Sequence, residues 1–230
     1  MIKIKDDKEL FALARKELFT ALVGDVLDKL GYTHQFLPPQ IKPLDPGMVV
    51  IGRAMPVMEA DVSGEQVEGT RNPVMQKPFG LMFEALDNLQ EDEVYVCTGA
   101  SPSYALWGGL MSVRALKLGA AGAVLNGYLR DSREILRLAF PSFSMGTYAQ
   151  DQGPRGKVID YRVPIVWDGI RIRPGDMIYG DRDGVLVIPR EVEREVFHRA
   201  LEKARAEKRV LQALQNGTGA QDAFDQFGIM

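Results

Sequence analysis

Gly119-Ala120-Ala121-Gly122-Ala123-Val124-Leu125-Asn126-Gly127-Tyr128-Leu129-Arg130-Asp131-Ser132-Arg133-Glu134 is the stretch on which the reading of this chain turns. A short apolar strand, Ala121 to Asn126, runs out into Gly127, and a helix over Ser132 to Ala139 follows. Upstream, Leu106 to Leu118 has the three-and-four spacing of another helix, entered from a loop over Thr98 to Tyr104. Helix, strand, helix in this order predicts an α/β layered core, in which ligands sit where loops leave the strand ends. Arg130 and Asp131, two opposite charges, stand at such a place.

Outward from this unit the pattern stays legible. Lys8 to Leu30 predicts one or two amphipathic helices ended by Gly31, with Gly24 a candidate break because glycine costs about 1 kcal/mol against alanine inside a helix. Pro38, Pro39, Pro43 and Pro46 space a connecting loop. Met48 to Ala60 reads as a strand interrupted by Gly52 and Pro56, Pro78 to Leu89 as a helix, and Glu93 to Thr98 as a strand. Between them, the polar segment Asp61 to Lys77 is longer than an ordinary connection and reads as a lid or binding loop.

Past Gly156 the chain predicts short strands over Lys157 to Val166, Ile170 to Ile172, Met177 to Gly180 and Val185 to Ile188. Their turns fall at Asp168-Gly169, Pro174-Gly175 and Asp183-Gly184. A charged amphipathic helix, Glu191 to Leu214, and a helical tail, Gln221 to Phe227, complete the chain. No internal repeat and no second core are visible, so the expectation is one domain over residues 1–230, its core at about 20–189 and a helical tail at about 190–230.

The chain has 230 residues, of which 46% are hydrophobic and 26% charged, which excludes a disordered or fibrous protein. Its net charge of −3 and the interleaving of Arg and Lys with Asp and Glu argue against nucleic acid as a partner. There is no apolar run of the roughly 18 residues that a membrane span needs and no signal-peptide core at Met1 to Asp7, so the expected location is cytoplasmic. Cys97, the single cysteine, lies in an apolar run and reads as a small buried hydrophobe.

Two places carry candidate chemistry. At Arg130-Asp131 a carboxylate can hold a hard cation and a guanidinium can offer its fork to a substrate carboxylate. The same residues also fit a helix N-cap, with Glu134 completing a capping box, and spacing leaves both readings open. At Gly108-Gly109, paired glycines open a helix whose first-turn N–H groups suit a small anion, although paired glycines before a helix more often mark a plain turn. His34 and His198 lack a metal-ligand partner at useful spacing and read as surface residues. No nucleophile elbow, P-loop or dinucleotide fingerprint is present.

Taken together, Trp107-Gly108-Gly109-Leu110, Gly119-Ala-Ala-Gly122 with its strand, Arg130-Asp131-x-x-Glu134, and Gly175-Asp176 to Asp183-Gly184-Val185 resemble the RraA-like superfamily over about Thr20 to Pro189. That family includes divalent-metal-dependent aldolases for 4-hydroxy-4-methyl-2-oxoglutarate and 4-carboxy-4-hydroxy-2-oxoadipate, oxaloacetate decarboxylases, and protein regulators of ribonuclease E. The resemblance implies a swivelling-type β/β/α sandwich assembled as a homotrimer or hexamer, acting on a small 2-oxo acid. It implies Asp131 as the carboxylate ligand of Mg²⁺ or Mn²⁺ and Arg130 as the group steadying a pyruvate enolate. The backbone N–H groups of Gly108, Gly109, Leu110 and Met111 then cradle the substrate carboxylate.

One departure stands out. The acidic residue that in the aldolases holds the base water, with twenty residues between it and the arginine, falls here on Gly109, so the base is missing or comes from Asp61, Glu65 or Tyr128. Decarboxylation needs only the electron sink. The expected function is therefore a metal-dependent carbon–carbon lyase, aldolase or decarboxylase. A non-catalytic regulator of ribonuclease activity is the alternative, disfavoured by Asp131.

Overall fold

The computed structural model describes residues 5–62 and 70–229. The chain divides into two compact units, one formed by His34–Arg190 and the other by Met1–Thr33 with Glu191–Met230. In chain order the helices are α1 (Asp7–Glu17), α2 (Thr20–Lys29), α3 (Met82–Asp87), α4 (Gly109–Lys117), α5 (Ser132–Leu138), α6 (Glu193–Gln215) and α7 (Ala220–Phe227). The strands are β1 (Lys42–Pro43), β2 (Val50–Asp61), β3 (Glu93–Thr98), β4 (Ala105–Trp107), β5 (Gly122–Leu125), β6 (Tyr128–Leu129), β7 (Ser142–Ser144), β8 (Gly156–Tyr161), β9 (Ile165–Trp167), β10 (Ile170–Ile172), β11 (Met177–Gly180) and β12 (Val185–Ile188).

The larger unit is an α/β fold around a main sheet of order β1-β7-β5-β3-β2-β11-β12, with β8 also pairing β2. The run β2-β3-β5-β7 is parallel. Both faces of this run are covered, so β3 is buried at every position and its side chains divide between two cores. Tyr95 and Cys97 point to a core shared with Ala85 of α3, Ala115 of α4 and Ile135 of α5. Val94 and Val96 point to one shared with Ile165, Trp167 and Ile170 of the β9–β10 hairpin. Helices, main sheet and hairpin form the three layers.

Cys97 is fully buried, and burial pushes its thiol well up, so it is the inert hydrophobe expected. Among the described residues no helix is long and apolar enough to cross a membrane.

Several expectations are corrected by the packing. β2 runs unbroken through Gly52 and Pro56. Pro56, which has no N–H to give a ladder, sits where the strand changes partner, after the β11 pairing of Val50 to Arg53 and before the β8 pairing that starts at Val57. The expected helix from Leu106 begins only at Gly109, because Ala105–Trp107 is a strand paired in parallel with Tyr128 and Leu129. In the smaller unit, the helix break falls at Leu18–Phe19, both extended, while Gly24 lies buried inside α2. Gly31, at φ 88, ends α2 as expected.

Of the segment expected to be a lid, Pro73–Gln76 forms a 3-10 turn capped by Asn72, while its acidic member Glu65 lies outside the described residues. The apolar tail is partly housed: Ile229 lines a groove of about 390 Å³ with Phe19, Leu211 and Leu214, while Phe224 stays half exposed. Met230 lies outside the described residues. His34 is exposed and bonds the Asp168 carbonyl at 2.9 Å. His198 differs from the surface expectation, since its Nε2 is buried and lies 3.6 Å from Glu202.

Candidate active site

Loops leaving the carboxyl ends of the neighbouring parallel strands β3, β5 and β7 converge, as the crevice rule for open α/β sheets predicts. The first carries Gly108 and Gly109, the second Arg130 and Asp131, and the third Thr147 to Asp151. Two-residue β6 joins them. It pairs with β4 on one side and makes a bridge from Leu129 to Thr147 on the other, with Arg130 N–H donating to the Trp107 carbonyl at 2.9 Å. The two stretches singled out from the sequence are thus held side by side.

Trp107 anchors this corner from below. It is buried between Tyr95 and Phe140, with ring centroids at 4.9 and 5.9 Å, and its Nε1–H donates to Ser112 Oγ at 2.7 Å. Ser112 in turn donates to the Gly108 carbonyl at 3.1 Å, which fixes the start of α4 against the core.

Asp131 occupies the N-cap position of α5 but does not cap it. Its backbone is left-handed, φ 55, and its side chain makes no cap bond to its own helix. Instead Oδ2 accepts the Gly109 N–H at 3.1 Å, at the start of α4. Glu134 is turned to Arg137, whose hydrogen bonds hold its carboxyl below the usual range. The capping box is not formed, and the carboxylate is free for another task.

The paired glycines follow from this arrangement. A Cβ on Gly108 would stand 3.0 Å from Asp131 Oδ2, and one on Gly109 would stand 3.2 Å from the Cβ atoms of both Asp131 and Glu134. The small anion that these glycines admit is therefore the protein's own carboxylate. Of the four backbone groups expected to cradle a substrate, the Gly109 N–H is already engaged. Leu110 and Met111 keep the first-turn N–H groups that no helical carbonyl can reach. The Leu110 side chain is 86% exposed, while Met111 packs on the core.

Arg130 lies across this corner, its Nε 3.9 Å from Asp131 Oδ2 and its Nη1 2.9 Å from Asp151 Oδ1. Beside it opens a cleft of about 280 Å³ lined by Arg130, Asp131, Ser132, Thr147, Tyr148 and Ala149. Tyr148 meets Tyr128 edge-on at 5.6 Å and forms part of that wall. Asp151 is the group that sequence reasoning missed.

Of the substitutes considered for the absent acid at Gly109, Glu65 lies outside the described residues and Asp61 is otherwise engaged. Asp61 Oδ1 accepts from Ser101 N–H and Tyr104 O–H, both at 3.0 Å. Burial alone would raise its pKa, but those bonds outweigh it and hold the carboxyl below its ordinary value. Its neighbour Glu59 is 2% exposed. Burial pushes its pKa up to about 8 against the opposing hydrogen bond from Gln152 at 2.7 Å, with Asp61 adding to the rise.

A divalent metal would find the half-exposed carboxylate of Asp131 here, the Asp151 carboxylate being paired with Arg130, and no three-residue His, Cys, Asp or Glu cluster among the described residues. That donor set fits a hard cation that keeps most of its water and does not fit a zinc-type cage.

This constellation lies inside the span, residues 20–187, matched by the family model described as RraA-like, Aldolase/RraA. Protein DlpA of Legionella pneumophila is 29% identical over 210 residues, 90% of this chain but 32% of DlpA, so the chain spans about a third of that relative's length. A Halalkalibacterium halodurans protein with the provisional name 4-hydroxy-4-methyl-2-oxoglutarate aldolase is 34% identical over 184 residues, 80% of this chain and 79% of that one.

A crystal structure described as novel cellulases from microbes of the gut ecosystem aligns with a TM-score of 0.79 at 33% identity, covering 91% of this chain and 90% of that one. Streptomyces coelicolor RraAS2, described as an unusual member of the RNase ES inhibitor RraA family, shares the fold, with a TM-score of 0.74 at 23% identity over 90% of this chain and 98% of its own. With its paired glycines, Arg130 and Asp131 all within the matched span, the chain belongs to the RraA-like family of aldolases and RraA proteins.

Proposed function

We propose that this chain is a divalent-metal-dependent lyase that cleaves a carbon–carbon bond of a small 2-oxo acid through a pyruvate enolate. The observation that carries the reading is the departure of Asp131 from its capping role: a left-handed residue turns its carboxylate from its own helix to the start of α4, beside Arg130 and an open cleft. A binding surface for another protein has no need of a metal carboxylate. Non-glycine residues held in sparsely populated backbone regions recur at sites of chemistry.

In this reading Asp131 holds Mg²⁺ or Mn²⁺, whose contribution when bound is Lewis-acid polarisation of the 2-oxo group. Arg130 faces the same oxygen and stabilises the charge that develops there as the bond breaks, in a position prepared beforehand. The Leu110 and Met111 N–H groups orient the carboxylate at the positive end of α4. Assembly as a homotrimer or hexamer belongs to the same reading. It is supported by the exposed apolar residues Leu110, Val113 and Leu116, which share one face of α4.

The test is pyruvate release from oxaloacetate and from 4-hydroxy-4-methyl-2-oxoglutarate, with Mg²⁺, with Mn²⁺ and after chelation. Asp131→Asn is expected to abolish metal-stimulated turnover while the protein stays folded, since weakening its one hydrogen bond, from the Gly109 N–H, costs only about 1 kcal/mol. Full metal-stimulated activity in that variant, or inhibition of a ribonuclease by a wild-type protein that releases no pyruvate, overturns the reading.

A further inference from the structure

Aldol cleavage requires that the hydroxyl on the carbon that becomes a carbonyl give up its proton, and Gly109 has no side chain to receive it. Resting on the lyase reading above, we propose that Asp151 accepts this proton and so replaces the acid absent at Gly109.

Asp151 is placed for the task. Its Oδ1 is 2.9 Å from Arg130 Nη1, on the guanidinium that faces the reacting 2-oxo group in this reading. Its side chain stays 45% exposed, two residues past the cleft residue Ala149 and against the cleft residue Arg130, so a substrate hydroxyl or one water can reach it. Hydrogen bonds hold both its side chain and the backbone around it. Gly153 N–H donates to Asp151 Oδ2 at 3.1 Å, Arg155 Nη1 to the Asp151 carbonyl at 3.0 Å, and Ala105 N–H to the Gln150 carbonyl at 2.9 Å. Gln152 reaches inward to the buried Glu59. A loop otherwise free to wander is fixed so that one carboxylate meets Arg130. Of the rival groups, Asp61 Oδ1 already accepts from Ser101 and Tyr104 and Glu134 is tied to Arg137, while Glu65 lies outside the described residues.

The ion pair gives the step its timing. The hydroxyl proton passes to the Asp151 carboxylate as the carbon–carbon bond breaks; the hydroxyl carbon becomes a carbonyl, and the bonding pair moves to the 2-oxo fragment as an enolate. Protonation neutralises Asp151, so its hold on Arg130 weakens as the enolate oxygen gains charge, and the guanidinium becomes available to that oxygen. Return of the proton to the enolate carbon yields pyruvate and restores the pair. Decarboxylation breaks a bond to a carboxylate that carries no such proton, so it does not require this acceptor.

The experiment compares the two reactions in Asp151→Asn, which keeps the shape of the side chain, with 4-hydroxy-4-methyl-2-oxoglutarate and oxaloacetate as probes. Aldol kcat is expected to fall by about 10² to 10⁴, the usual worth of a positioned base, while decarboxylation falls by less than about tenfold. Oxalate, a planar mimic of the enolate, is expected to bind in calorimetry with a Kd within a few-fold of wild type. Added formate is expected to restore aldol turnover in Asp151→Ala, which carries the same test if Asp151→Asn does not fold.

A parallel loss of both reactions together with weakened oxalate binding would show that Asp151 only holds Arg130. Unchanged aldol turnover would place the base elsewhere. Either result overturns the proposal. A folded wild type active on neither probe removes the lyase reading itself, and the proposal with it.

Discussion

Arg162 and Arg130 both reach a carboxylate from just past the end of a strand, and the two spend their hydrogen-bonding capacity in opposite ways. Arg162, left-handed at φ 57, grips Glu93 with both terminal nitrogens at 2.7 and 2.8 Å and bonds Asn88 through Nε and Nη2, both at 2.6 Å. Every part of its fork is used, and the Glu93 side chain is 11% exposed. Arg130 makes one close contact, to Asp151, and one at 3.9 Å, with its side chain 41% exposed. A saturated guanidinium ties strands together. One left partly unsatisfied beside a cleft keeps donors for a ligand, and the choice between the roles lies in the loop that brings the partner.

Arg130→Ala is expected to lower kcat/KM by about 10³ and leave the unfolding transition nearly unmoved, as loss of an electrostatic donor at the reacting oxygen predicts. Equal changes in activity and melting temperature would erase the contrast. Arg162→Ala is expected to do the reverse, costing about 3 kcal/mol in chemical denaturation because it leaves Glu93 buried and unpaired, with little change in turnover once folded. If its unfolding midpoint matched wild type, the saturated fork would be ornamental.

A pH-dependent effect sharpens the comparison from the uncharged side. Glu59, with a folded pKa raised to about 8 from 4.5, keeps its proton where the unfolded chain has lost it. Such a group favours folding most below pH 4.5 and works against it as pH climbs toward 8, on the order of 5 kcal/mol across that window. Glu59→Gln retains the acceptor for Gln152 and removes the titration. Its stability advantage over wild type is expected to grow from pH 5 to pH 8 in paired denaturation curves; an advantage that shrinks with rising pH would contradict the assignment.

Most of the fold is legible in the chain because it is written locally. The apolar run of β3, the glycine-bounded β5 and the turns after Trp167, Arg173 and Arg182 each specify their elements within a few residues. β4 escapes such reading, since Ala105–Trp107 continues smoothly into the helical spacing of α4 and finds its partner only at Tyr128 and Leu129. Arg130 and Asp131 are visible from their place at a strand exit. Asp151 is not: it lies in a polar stretch with glycine and proline on its far side, and reaches Arg130 only because β7 lies next to β5 in the sheet. An acid in the loop after the strand neighbouring β5 is the signal that could have revealed it.

The central strand β2 is bonded to three partners: β3 along one edge, and β11 and then β8 along the other. During synthesis β3 follows soon after it, so one edge of β2 is closed early, and Gly108 through Asp131 emerge next. The opposite edge waits for Gly156–Tyr161 and Met177–Gly180, the second of which must fold back across everything made in between. Pairings between such distant segments form slowly. Until they do, the nascent chain carries a long open strand rich in Val, Ile and Met, the kind of edge that recruits other chains. The site is thus drafted before its scaffold is closed, and the passage between those two moments is where this protein is most exposed to association with its neighbours.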